Sequence, residues 1–295
     1  MKILVGIMFT IENEYDMCIQ SIQSQTYKEY EYFIVKNLGN KKAHDKLYQT
    51  FMENRSEFNL FIKIDADMVL RRNTFFLEAV NYFDKNPEVD DLQIAIDDFY
   101  TNGLIYGLHV YSNRMKWTKN KEQVFVDWPD EKHNHINDDM YLAPAAVHCP
   151  DPNKYQAFHY GLHKAVKVTQ EGRNEVRVSA SRIHYKNLKK MIINYWSNND
   201  IRLAFSIIGA YEAIRGRFEA SHVDYDNPYA HCVFSNWNSE SENVIHFKAK
   251  TITIIFFILN PFLLEIILFR RFIRGGVSNP SKNNVLNIIR LILNK

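Results

Sequence analysis

Asp65-Ala66-Asp67 closes the apolar run Phe58-Asn59-Leu60-Phe61-Ile62-Lys63-Ile64, so two carboxylates stand two residues apart where a buried strand runs out. That is a grip for a hard divalent cation, Mg²⁺ or Mn²⁺, which takes oxygen ligands and shares them between protein carboxylates and substrate phosphates. In an open α/β sheet such a cation and its diphosphate lie beyond the carboxyl ends of the strands. A lone Asp-x-Asp is frequent by chance, and its plain alternative is a pair of solvated acids, so the surrounding residues decide. His159 and His163 are four apart and share one helix face with Lys164 and Lys167 beside them. Such a basic face could meet a diphosphate or an anionic acceptor, or could simply be solvated. His148-Cys149 and His231-Cys232 each join two metal-binding residue types, but adjacent ligands lack the spacing of structural zinc sites. Trp117, Trp128 and Trp196 are candidate sugar-stacking platforms whose commoner role is packing.

Positioning these residues takes a regular framework, and the first hundred residues supply one. Residues 2–9 form a short, nearly continuous apolar run, as expected of a parallel strand buried on both faces. Tyr15, Cys18, Ile19 and Ile22 then recur at helical spacing, residues 32–35 read as a second strand, and Ala43, Leu47, Tyr48 and Phe51 give another helical stripe. Residues 58–64 are the third strand, and Asn73 is placed to cap a helix carrying Phe76, Ala79, Val80 and Phe83. Repeated β-α units of this length imply a parallel sheet with right-handed crossovers. From residue 91 to 128 the pattern changes: 92–96, 104–111 and 124–126 read as strands without long helices between them, which implies a mixed or antiparallel edge. Helices return at 154–170, 187–198 and 200–215, the last with Asp200 as its N-cap.

The tail is of another kind. Residues 251–269 contain one charge, Glu265, together with Asn260 and Pro261, between Lys248 and Lys250 on one side and Arg270, Arg271 and Arg274 on the other. Nineteen residues just reach the length of a spanning helix. Pro261 breaks its middle, and an acid near mid-membrane costs roughly 2.5–3.5 kcal/mol. After Gly275-Gly276, a final helix sets Asn283, Asn287, Arg290 and Asn294 against Val285, Ile288, Ile289 and Ile292. A basic, amphipathic, terminal helix is the profile of one lying in a membrane interface; the other reading packs it on the core or on a partner subunit.

Composition excludes some classes. With 46% hydrophobic and 24% charged residues over 295, the chain can bury a substantial core and is not a disordered one. A net charge of +2 gives no bulk argument for nucleic acid. Cys18, Cys149 and Cys232 are too few and too scattered for a disulfide framework. Met1 leads straight into the first strand without a signal-peptide pattern, so the expectation is a reducing, cytoplasmic location.

Phe9-Thr10-Ile11-Glu12 after the first strand, Val35-Lys36-Asn37 after the second and Lys63-Ile64-Asp65-Ala66-Asp67-Met68 at the third together resemble a family 2-like glycosyltransferase of the GT-A fold. The likeness is good over residues 1–100 and looser to about 215. It implies a Rossmann-like α/β fold: a mixed, mostly parallel sheet flanked by helices, with a helical C-terminal extension. The implied domains are a catalytic one over 1–185 (a nucleotide-sugar half at 1–99 and an acceptor half at 100–185), a helical part over 186–245, and a membrane-associating tail over 246–295. By this resemblance Phe9, Thr10, Glu12, Asn37, Lys63 and Asp65 line the nucleotide-sugar donor, and the basic helix face read from the spacing would add His163 and Lys164. Asp65 and Asp67 hold Mn²⁺ or Mg²⁺, with His148 completing the coordination, since neutral imidazole suits Mn²⁺. The family's base, a carboxylate that takes the acceptor hydroxyl proton, falls on Asp139 or its neighbour Asp138, with Asp127 and Asp130 further off. Where the family pattern runs from an acidic pair directly into a helix, this chain continues Tyr141-Leu142-Ala143-Pro144.

The leading expectation is therefore a metal-dependent glycosyltransferase, inverting, acting on a glycan or lipid-linked acceptor in bacterial surface polysaccharide synthesis. It would be peripheral on the cytoplasmic face of the inner membrane and a possible homo-oligomer. A nucleotidyltransferase also uses a Rossmann-like sheet and paired acids, but would want a glycine-rich phosphate loop where Phe9-Thr10-Ile11-Glu12 has no glycine. A non-catalytic membrane-associated scaffold of the same fold is the third reading, and intact Asp65 and Asp67 argue against it.

Overall fold

A computed structural model describes residues 1–117, 133–171, 178–216, 218 and 220–256. The strand expected at 124–126, Asp127, Trp128, Asp130 and the tail beyond 256 lie outside the described residues. The chain divides into two compact units, Met1–Lys121 with Phe125–Pro152, and Glu122–Val124 with Asn153–Lys295. The break after Pro152 puts the helix that follows it in the second unit.

The first unit is α/β. Its elements are β1 (Ile3–Phe9), α1 (Tyr15–Gln23), β2 (Tyr30–Lys36), α2 (Asn40–Asn54), β3 (Leu60–Asp65), β4 (Met68–Leu70), α3 (Phe75–Lys85), β5 (Asp91–Asp98), β6 (Gly103–Ser112), β7 (His135–Asp138) and β8 (Ala146–His148). The strands form one mixed sheet in the order β2-β1-β3-β6-β5-β8-β4, with β7 also on β5. β1 pairs in parallel with β2 and β3, while β6 runs antiparallel between β3 and β5, as the change of pattern after residue 91 implied.

Strand periodicity places the helices on both faces, because successive side chains point to opposite sides. Ile3, Val5 and Ile7 of β1 and Ile62 and Ile64 of β3 pack with Cys18 and Ile22 of α1 and with Phe75, Phe76, Ala79 and Phe83 of α3. The intervening Leu4 and Phe61 face the other way, onto Leu47, Tyr48 and Phe51 of α2 with Tyr111, Met115 and Trp117. The Phe51 and Phe61 rings stack at 4.3 Å, and Gly6 leaves them room: a Cβ there would come 2.9 Å from Phe61 Cε2. Trp117 stacks on Tyr48 at 4.6 Å, so it is packed in this layer. The cap of α3 is Thr74 rather than Asn73, whose carbonyl accepts the Thr26 N–H at 2.7 Å.

The second unit is helical where it is described: α4 (Lys154–Thr169), α5 (Val178–Asn198), α6 (Ile201–Ile214), a 3-10 turn at Ala220–Val223, α7 (Pro228–Asn238), and α8 over 242–256. Asn153, Asp200 and Asn227 cap α4, α6 and α7 by accepting backbone N–H groups in the first turn. Gly161 of α4 and Gly209 of α6 let the two backbones touch: a Cβ on either would overlap a carbonyl oxygen of the other helix, Ser206 or Phe158. Ser206 Oγ donates across the crossing to the Ala157 carbonyl at 2.8 Å. Trp196 Nε1 donates to Thr253 Oγ1 at 3.0 Å, so α8 is tied to α5. Among the described residues, no helix is long and apolar enough to cross a membrane.

Candidate functional site

Parallel pairing brings the first three strands out at one edge. Met8 lies opposite Asp65 and Phe9 opposite Lys36, so the loops after β1, β2 and β3 leave side by side. Two backbone bonds lock them: Asn37 N–H donates to the Phe9 carbonyl and Ala66 N–H to the Met8 carbonyl, both at 3.0 Å. Asn37 takes a left-handed φ of 52°, a conformation asparagine tolerates better than most residues. Phe9 stacks on Tyr15 at 4.0 Å, and Lys36 Nζ lies 5.8 Å from the Phe9 ring centroid. The Glu12 side chain folds back to accept the Thr10 N–H at 2.6 Å.

A fourth strand end completes the cluster. β8 pairs antiparallel with β4, setting His148 opposite Met68, and in parallel with β5, setting His148 beside Asp98. Asp67 therefore meets His148 and Cys149 across the top of the β4–β8 ladder. Its Oδ2 lies 3.4 Å from His148 Nε2 and accepts from Cys149 Sγ at 3.4 Å, while its carbonyl accepts the Cys149 N–H at 2.7 Å. His148 Nδ1 donates to Asp98 Oδ1 at 2.6 Å, and Asp98 Oδ2 accepts the Thr101 N–H at 2.8 Å. Asn13 Nδ2 donates to the Asp151 carbonyl, and Glu14 accepts the Asp151 N–H, so the loop after β1 is tied to the same corner.

Within the cluster Lys63 and His148 oppose the carboxylates of Asp65, Asp67 and Asp98. Lys63, only 4% exposed, points its Nζ to within 3.4 Å of the Asp65 carboxylate. Burial pushes the Asp67 carboxyl up, but the charge and hydrogen bond of His148, with Cys149 and Lys63, bring it below its usual range. Burial likewise works against protonated His148, yet the acidic groups around it, Cys149, Asp67 and Asp98, hold it well above the ordinary histidine value. Burial and Asp67 push the Cys149 thiol up, leaving it a neutral hydrogen-bond donor. Burial lifts Glu12 to about 7, with Asp67 and Asp65 adding to the effect and the Thr10 bond opposing it.

Asp67 Oδ1 is buried and has no hydrogen-bond partner among the described residues. A buried carboxylate oxygen left unpaired is costly unless something else satisfies it. The ligand atoms of Asp67, His148 and Cys149 lie within 4.8 Å of one another. Carboxylate with imidazole suits Mn²⁺, and Asp98 orients the imidazole from behind in the manner of an outer-shell carboxylate. The donor set therefore fits a divalent cation.

The sequence-predicted residues separate accordingly. Phe9, Thr10, Glu12, Asn37, Lys63, Asp65, Asp67 and His148 gather at this one sheet edge. Asp138 ends β7, and its carboxylate is spent on the following turn, accepting from the N–H groups of Met140, Tyr141 and Leu142 at 3.1, 2.8 and 2.6 Å. The acidic pair thus leads into a turn rather than a helix, and of the two only Asp139 is exposed. Asp138 stands about 13 Å along β5 from His148, four residue steps at roughly 3.3 Å each, and Asp139 follows it in the turn. His163 and Lys164 lie on α4 in the second unit. Burial, with Lys167, His159 and Lys164 beside it, holds His163 well below the ordinary value, so it carries no positive charge at pH 7 for a diphosphate. His159 is buried with Nε2 on the Val223 carbonyl at 3.0 Å, and Lys164 Nζ sits 5.0 Å over the Tyr160 ring. The basic face read from the helix spacing is thus in large part interior. Asp98 escaped the sequence reading, although Ile94-Ala95-Ile96-Asp97-Asp98 carries the same sign as Asp65, an acid where an apolar strand ends.

No family model matches the chain, and no curated protein matches it. Among solved structures it is similar to the one described as "Crystal Structure of A197 from STIV", with 13% identity and a TM-score of 0.31, over 39% of this chain and 66% of that one. The chain thus spans less than two thirds of that protein's length, and at this TM-score the likeness carries no weight for fold or function.

Proposed function

We propose that the chain is a divalent-cation-dependent glycosyltransferase of the GT-A type, taking a sugar from a nucleoside-diphosphate donor to a glycan or lipid-linked acceptor. The observation that carries this reading is the unpartnered, buried Oδ1 of Asp67, whose other oxygen Oδ2 meets His148 Nε2, at the carboxyl ends of three parallel strands. Asp67 and His148 would hold Mn²⁺, with Asp65 toward the donor, and the cation would supply charge neutralisation for the departing diphosphate. Asp98 keeps the His148 ring oriented with Nε2 toward Asp67. Lys63 restrains Asp65, while Phe9, Tyr15 and Asn37 form the wall against which a nucleoside would lie. With Asp138 committed to its turn, the role of base falls to Asp139. The tail beyond 256 would hold the protein peripherally at a membrane surface.

Thermal shift with a panel of nucleoside diphosphates, with and without Mn²⁺, tests the reading. A ligand at a hundred times its Kd adds about 2.7 kcal/mol of stability. One diphosphate should raise the melting temperature only when Mn²⁺ is present, and Asp67→Asn should abolish that rise while leaving the metal-free melting temperature within a few degrees. Mn²⁺-dependent stabilisation that survives in Asp67→Asn would overturn the metal assignment. No stabilisation by any diphosphate would overturn the transferase reading.

A further inference from the structure

A second constellation lies at the other end of β5. Asp91, fully buried, pairs in parallel register with His135 of β7; His133 precedes His135 by two residues. Side chains two apart along an extended segment share a face, and the residue opposite a strand partner shares it too. Gln93, two residues after Asp91, pairs with His109 of β6, so three histidines from two chain segments converge on one carboxylate. The distances agree: His135 Nδ1 is 2.7 Å from Asp91 Oδ2, His133 Nε2 is 3.9 Å from the same oxygen, and His109 Nδ1 is 3.0 Å from Asp91 Oδ1.

We propose that Asp91, His133 and His135 form a binding site for an imidazole-favouring divalent transition ion, with Zn²⁺ as its type, separate from the Asp67–His148 cluster. Asp91 stands seven residues from Asp98 along β5, about 23 Å at roughly 3.3 Å per residue. One atom from each of the three residues lies within 4.8 Å of the others. Tetrahedral Zn²⁺ with ligands at about 2.0–2.1 Å holds them about 3.3 Å apart. The observed 2.7 and 3.9 Å from Asp91 straddle that separation. Two imidazoles and one carboxylate leave a fourth position for water or a small ligand.

The surroundings are those of a built site. Three imidazoles lie within 4 Å of the one buried carboxylate of Asp91. His109 holds the oxygen that faces away from the other two and is itself fixed by Gln93 Nε2 at 3.0 Å, which is the arrangement of an outer-shell orienting group. The backbone carrying His133 and His135 is pinned between them: Asn134 N–H donates to Asp90 Oδ2 at 3.0 Å, its side chain donates to the Glu88 carbonyl, and its own carbonyl accepts from Asp90 and Asp91. His135 Nε2 meets Asn137 Oδ1 at 3.0 Å, leaving Nδ1 directed at Asp91.

Competition with a chromophoric chelator, using the full chain stripped of metal, reads this site. In an Asp67→Asn/His148→Gln background that silences the first cluster, one Zn²⁺ per chain should still bind, and His133→Gln should weaken that binding at least about tenfold. A folded double variant that binds no Zn²⁺, or one whose affinity is untouched by His133→Gln and by His135→Gln, overturns the proposal. If the double variant does not fold, His133→Gln is compared alone with the wild type and should weaken one Zn²⁺ equivalent at least about tenfold; unchanged affinities overturn the proposal as well. None of these outcomes depends on nucleotide binding, so failure here and failure of the transferase reading are distinguishable.

Discussion

Glu12 is the residue at the candidate centre whose titration falls in the neutral range. Burial raises its carboxyl from the ordinary value to about 7, with Asp67 and Asp65 raising it further and the Thr10 bond opposing. An acid whose folded pKa lies above its unfolded value costs stability as pH rises, because the unfolded chain releases its proton first. The cost begins near pH 4.5 and is complete above pH 7, amounting to about 3 kcal/mol at 1.36 kcal/mol per unit. Glu12→Gln should therefore melt well above the metal-free wild type at pH 8 and close to it at pH 5. Bound Mn²⁺ should narrow the pH 8 gap by neutralising Asp65 and Asp67. Equal pH profiles for the two proteins would show that Glu12 is not so placed. Asp65, Asp67 and His148 were legible in the sequence by residue type at a strand end or a turn. Their partner Asp98 was not, because nothing in one sequence says that β8 lies beside β5. Asp138 shows the converse: an acid read by type alone turns out to be occupied by three backbone N–H groups.

At the scale of elements, legibility followed length. β1, β3, β5 and β6 announce themselves as apolar runs, and α1 to α4 as stripes at helical spacing. β4, β7 and β8 are three or four residues long, too short to show any period, yet β4 and β8 build the corner where Asp67 meets His148. The α4–α6 crossing was equally silent, since a glycine inside a helical pattern reads as a weakness of about 1 kcal/mol relative to alanine. Here the glycines are the contact. A Cβ on Gly161 would overlap the Ser206 carbonyl oxygen, which cannot move without its helix. Separating packed helices costs about 1–3 kcal/mol or more, exceeding the gain in helix propensity. Gly161→Ala should then lower stability by roughly 2 kcal/mol in urea unfolding. Gly103→Ala, where the nearest atom to the new Cβ is 3.8 Å away, should change it little. A Gly161→Ala protein as stable as wild type would mean that the two helices do not cross so closely.

At the scale of the whole molecule the question is where the folded body ends and the tail begins. Residue 251, where the apolar stretch starts in the sequence, is not that point. Ile245, Ala249, Thr253 and Phe256 of α8 are buried at helical spacing, Phe256 lies 5.5 Å from the Tyr185 ring, and Thr253 bonds Trp196. A cut at 251 would strip the packed Thr253 and Phe256 from the helix and confuse unfolding with loss of an anchor. A cut after 256 leaves those contacts whole and removes a segment with six Lys and Arg residues against the single acid Glu265. Each basic residue near an anionic lipid surface contributes about 1 kcal/mol, screened by salt, while the apolar side chains add a term that salt leaves intact. The full chain should therefore sediment with anionic vesicles, less so at high salt but not to zero. A chain of residues 1–256 should stay in the supernatant and keep its Mn²⁺-dependent response to nucleoside diphosphates. Equal sedimentation of the two would refute the tail as a membrane anchor. Complete release of the full chain by salt alone would show that the apolar faces of the tail are covered by protein instead of lipid.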